Sequence, residues 1–162
     1  MATFASFQGK VTNIDDFFSS NTAERGCKKI FSVVNRDGAI INFIVTPETY
    51  VVNHTSIQVG DIVTGFYDTS LPVPLIYPPQ FTAVVMAKNS RYMNVTVDYF
   101  NRRLINSKQN LQLNIGPETI IILKNDQIFT GNLGNRNLIV LYDRTTRSIP
   151  AQTTPSQVVV LC

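Results

Sequence analysis

The chain has no tryptophan, a single histidine and two cysteines, and only 15% of its residues are charged. Each shortage excludes a class of chemistry. His54 has no obvious ligand partner, and Cys27 and Cys162 lack zinc-site spacing, so no metal site is expected. Two cysteines cannot make the dense framework of a small disulfide-held domain, although a Cys27–Cys162 bridge stays open. No run approaches the ~18 apolar residues of a membrane span, so no membrane partner is expected. Met1 to Phe7 has neither a basic start nor an apolar core of signal-peptide length, which points to the cytoplasm. Asn53-His54-Thr55 and Asn94-Val95-Thr96 then match the glycosylation pattern by chance. No glycine-rich phosphate loop leads into a helix, so no cofactor is called. The net charge of +3, from 14 basic and 11 acidic residues, makes a weak field. The densest basic groups are the pairs Lys28-Lys29 and Arg102-Arg103.

Helical periodicity is also scarce, and what is present is β signal. In the first half the expected strands are Phe7 to Ile14, Lys29 to Asn35, Ala39 to Val45, Thr49 to Asn53, Ile62 to Asp68 and Phe81 to Lys88. Asn35-Arg36-Asp37-Gly38 supplies a hairpin turn, and Gln58-Val59-Gly60-Asp61 another turn. In the second half they are Asn94 to Phe100, Leu104 to Ser107, Leu111 to Ile115, Ile120 to Leu123, Asn137 to Asp143 and Gln157 to Leu161.

The halves share a grammar. Thr46-Pro47-Glu48-Thr49 returns 70 residues later as Gly116-Pro117-Glu118-Thr119. Tyr67-Asp68 returns 75 residues later as Tyr142-Asp143, and Ala83-Val84-Val85-Met86 matches Val158-Val159-Val160-Leu161 at the same offset. The first copy carries about fourteen extra residues, Asp15 through Lys28. Loops absorb insertions and ladders do not, as a duplicated β-domain requires. About five short strands per half suggest closure into small barrels, since closure removes exposed edges.

Gly9-Lys10-Val11, the hairpin, the Pro-Glu-Thr strand, Val59-Gly60-Asp61-Ile62-Val63-Thr64-Gly65 and Ala83-Val84-Val85 together resemble bacterial OB-fold-type domains that have no assigned function. The resemblance covers residues 7 to 88 and extends less closely over 93 to 161, where Gly134-Asn135 replaces the Gly-Asp turn. It implies an all-β protein of two tandem five-stranded OB-like barrels, with domains at 1–90 and 91–162. It carries no functional residue.

Four features are candidates for chemistry. Glu48 and Glu118 are repeat-equivalent carboxylates, but Pro-Glu-Thr reads first as a strand-entry corner. Cys27 beside Lys28 and Lys29 is read as an ordinary loop thiol. The segment from Leu71 to Phe81, with Pro72, Pro74, Pro78 and Pro79, is stiffened toward an extended form. Leu75, Ile76, Tyr77 and Phe81 are expected to pack over a barrel mouth or between the halves, or else to form a partner-docking surface. Finally Lys88, Arg91, Tyr92, Arg102 and Arg103 place cations near aromatics, the pattern of single-strand binders. The function expected is a non-enzymatic binding or protein-interaction module, with an unidentified protein as partner or a second copy forming a homo-oligomer. The alternatives are a single-stranded nucleic-acid or polyanion binder, and an enzyme with a cleft between the halves. No residue is assigned a catalytic role.

Overall fold

The computed structural model describes residues 2–162, and the protein is all-β. Among these residues the helical elements are two single 3₁₀ turns, Thr22–Glu24 and Val52–His54. Among the described residues no helix is long and apolar enough to cross a membrane. Two compact units divide the chain, one of Phe4–Asn89 and one built mainly of Ser90–Cys162.

The first unit starts with β1 (Phe4–Asp16), β2 (Lys29–Val34) and β3 (Ile40–Val45), which pair in order as an antiparallel meander. β1 is longer than its apolar pattern suggests. It runs into the extra segment, where Asp15 pairs with Ile30 and Asp16 with Lys29, so that segment only lengthens a hairpin. The hairpin turn forms as its Asp-Gly requires: Gly38 has φ +82°, and the Asn35 side chain accepts from the Asp37 and Ala39 amides. Next come β4 (Tyr50–Val51), β5 (Ile62–Asp68), β6 (Gln80–Thr82) and β7 (Val85–Lys88). β5 returns antiparallel to β1, β7 is antiparallel to β5 and parallel to β4, and β6 is parallel to β3. Two residues separate β6 from β7. There the Ala83 amide donates to Ile44 O (2.9 Å) and the Val84 amide to Phe66 O (2.8 Å). One kinked segment thus links β3, at one side of the meander, to β5 at the other.

Alternation buries Val11, Phe31, Val33, Phe43, Val63 and Met86 in one core. Gly65 fits because it has no side chain: a Cβ there would stand 2.5 Å from the Phe43 ring.

The second unit holds β8 (Asn94–Phe100), β9 (Leu111–Leu113), β10 (Ile120–Leu123), β11 (Arg136–Tyr142), β12 (Ala151–Thr153) and β13 (Gln157–Leu161). β11 lies antiparallel between β8 and β13, β10 is parallel to β13, and β12 is parallel to β9. Phe100, Leu138, Val140, Val158 and Val160 centre its core. The strand expected at Leu104 to Ser107 does not form; single bridges, Phe100 to Asn106 and Ile105 to Gln112, stand in its place. Leu104 has φ +60°, and the Asn106 side chain accepts from the Asn110 and Leu111 amides, so this stretch turns instead of extending.

The register corrects one sequence match. Val84 donates to Phe66 O as Ser156 donates to Leu141 O, and Tyr50 pairs with Val85 as Ile120 pairs with Gln157. The final strands therefore correspond at 72 residues and not 75. Runs of valine carry little phase, whereas backbone pairing fixes it. With Tyr67 and Tyr142 still 75 apart, the loop before the final strand is three residues longer in the first unit.

Candidate functional site

Both Pro-Glu-Thr segments build the same corner. The Thr49 hydroxyl accepts from the Thr46 amide (3.0 Å) and donates to Ala83 O (2.7 Å). The Thr119 hydroxyl accepts from the Gly116 amide (3.2 Å) and donates to Pro155 O (2.7 Å). Each threonine ties the strand-entry turn to the kink of its unit's last strand. Glu48 and Glu118 project from the turns, both exposed.

A groove opens beside each corner. In the first unit, about 470 Å³ is lined by Thr46, Glu48, Asp68 and Thr82, with Tyr67 and Phe81 on its apolar side. In the second, about 460 Å³ is lined by Gly116, Glu118, Asp143 and Thr154. Each glutamate thus shares a groove with the aspartate of its own Tyr-Asp strand end. The sequence contained this signal, since both motifs repeat; linear spacing alone did not show that they meet. Tyr67 and Tyr142 occupy the same strand position, and burial raises both phenol pKa values above the ordinary 10.0.

The grooves differ in their wall. Leu71, Pro72, Val73 and Pro74 line the first, on the longer loop. Phe81 stacks on Tyr67 with ring centroids 4.0 Å apart and packs against the core. Leu75, Ile76 and Tyr77 do not pack as the covering reading expected: Leu75 is 101% exposed, Tyr77 81% and Ile76 53%. Prolines at 72, 74, 78 and 79 hold this stretch out of the sheet, where its side chains find no core to enter. In the second unit the corresponding loop, 143 to 150, carries Arg144, Arg147 and a 94% exposed Ile149.

The expected cation–aromatic set is divided. Lys88 ends β7 in the first unit and pairs with Asp61 at 3.2 Å. The Asp61 carboxylate also accepts the Gln58 amide at 2.8 Å; that bond first, and the Lys88 hydrogen bond second, hold its pKa below the ordinary 3.8. Arg91 and Tyr92 precede β8, while Arg102 and Arg103 follow it. Seven strand residues separate the two groups by about 20 Å. Arg136 went unmarked in the sequence, yet it lies near Arg102 and Arg103. It pairs across the ladder with Phe100, and its guanidinium sits 4.9 Å over the Phe129 ring.

Cys27 and Cys162 are exposed free thiols, and no cluster of metal-ligating side chains occurs among the described residues. No family model matches the chain, and no curated protein matches it.

Proposed function

We propose that the chain is a non-enzymatic binding module of two OB-like five-stranded barrels, related by internal duplication, whose first unit docks a partner polypeptide on its Pro-rich segment. Two observations support the barrel reading. The kinked strand links β3 to β5 in the first unit, and the recurring threonine corners place the second unit's kink in the same frame.

One observation carries the docking reading. Leu71, Val73, Leu75, Ile76 and Tyr77 are all exposed on one proline-stiffened stretch. A contiguous apolar surface of this kind marks an interaction site, and a stiff segment loses little entropy when a partner orders it. Leu75, Ile76 and Tyr77 lie outside the groove that Leu71 and Val73 line, and exposed rings and aliphatics outside a groove suit a polypeptide surface better than a small molecule.

A photo-crosslinking residue at Leu75 tests this in extract. One dominant protein adduct is expected, and it should be lost when Tyr77→Ser is added. A crosslinked pair of this chain would identify the partner as a second copy. An adduct pattern matching that of a crosslinker at the exposed Asp37 overturns the reading.

A further inference from the structure

The charge of the protein is unevenly held. Residues 90–162 carry eight basic and four acidic side chains, against six and seven in 4–89. Six of the eight are arginines: Arg91, Arg102, Arg103, Arg136, Arg144 and Arg147. Among the described residues none of the six is in an ion pair. The nearby acids are engaged in other bonds. Asp98 is buried, accepting from the Ser107 hydroxyl (2.6 Å) and the Tyr99 amide (2.7 Å), and Asp143 accepts from the Arg144 amide (2.7 Å).

Five of the arginines flank the two ends of the β8–β11 pair: Arg102, Arg103 and Arg136 at one, Arg91 and Arg144 at the other. At one end the Asn101 side chain fixes the Arg102-Arg103 turn, accepting from the Arg103 and Ile105 amides at 2.9 and 3.1 Å. Gly134 lies against that turn, for a Cβ there would stand 3.1 Å from the Arg102 Cα. Two residues on, Arg136 is held over Phe129 while its Nε donates to Asn132 O at 2.7 Å. At the other end Asn94 pairs with Tyr142, and its side-chain amide donates to Asp143 O at 3.3 Å. The 80% exposed Tyr92 lines the same groove as Asp143, and Arg91 and Arg144 are their immediate chain neighbours.

A compact anion cannot span two cationic ends about 20 Å apart, but a linear polyanion can. Guanidinium is the cation that grips phosphate bidentately and stacks on rings, and here it outnumbers ammonium six to two. Tyr92 and the half-buried Tyr99 put rings beside the charges. We propose that the β8–β11 pair of the second unit binds single-stranded nucleic acid. Arg102, Arg103 and Arg136 engage phosphates at one end, Arg91 and Arg144 at the other, and Tyr92 stacks a base.

The test is fluorescence anisotropy of a short labelled oligothymidylate with the full chain at rising salt. Binding should weaken with salt, with a log–log slope of about −0.7 per phosphate neutralised. Arg102→Ala with Arg103→Ala should weaken binding about tenfold and flatten that slope. Tyr92→Ala should weaken it about fivefold or more with the slope kept. Lys10→Ala with Arg36→Ala, in the first unit, should change nothing. Arg102 and Arg103 sit on an exposed turn, and a circular-dichroism melt verifies that their variant folds. Four results each overturn the proposal: no binding at low salt; binding indifferent to the arginine variants; equal binding of a duplex or an anionic lipid vesicle; or equal competition by polyglutamate.

Discussion

At the scale of single residues, the most telling side chains are those that close turns. Thr49 and Thr119 each satisfy one amide and one carbonyl, which would otherwise be left unpaired where a strand kinks. Asp61 does comparable work for the turn before β5, accepting the Gln58 amide while facing Lys88. Because both contacts favour the ionised carboxylate, its folded pKa lies below the unfolded 3.8. Its contribution to stability is therefore complete above 3.8 and is lost as pH falls through the lower folded value. Asp61→Asn should lower Tm at neutral pH, and the gap from the parent protein should close as pH drops below 3.8. Thermal melts of both proteins across pH 2 to 7 check the sign; a gap that widens in acid refutes it.

At the scale of elements, the strands were legible because period-2 burial and Asp-Gly chemistry are local. The turn at Asn35 to Gly38 and the turn at Gln58 to Asp61 form where the sequence puts them. Other features depend on pairing, and pairing is not local. The valine-rich final strand could slide by three residues until backbone hydrogen bonds fixed it, and Leu104 to Ser107 lost its strand to a positive φ and a side-chain-closed turn. The same limit hid the site. Asp68 and Asp143 share grooves with the glutamates only through the fold, and Arg136 comes beside the Arg102 turn only across the β8–β11 ladder. The Pro-rich segment shows the reverse case, where composition named the element and structure divided it. Phe81 anchors it by stacking on Tyr67, and Leu75 and Tyr77 project. Leu75→Ser with Tyr77→Ser should leave the unfolding free energy from urea melts within about 0.5 kcal/mol of the parent, as exposed substitutions do. Phe81→Ala should cost about 2 kcal/mol, somewhat less than a fully buried phenylalanine. A large loss from the serine pair would mean that the segment is covered after all.

At the scale of the whole chain, the two units share one hydrogen-bonded frame and differ in their loops. The frame is the corner, the Tyr-Asp strand end and the kinked last strand, present in each unit with closely matched hydrogen bonds. The loop before that last strand is apolar and three residues longer in the first unit, and it carries two arginines in the second. Burial and charge thus assign different surfaces to the two units, and the proposals divide accordingly. Each unit holds its own hydrophobic cluster, so residues 1–89 and 90–162 made separately should each fold and unfold cooperatively. Oligothymidylate binding should then travel with the 90–162 piece, which carries the excess of four positive charges, and the Leu75 adduct with the 1–89 piece. Anisotropy and crosslinking on the two pieces decide it. Binding that appears only when the pieces are mixed would show that neither surface belongs to one unit alone.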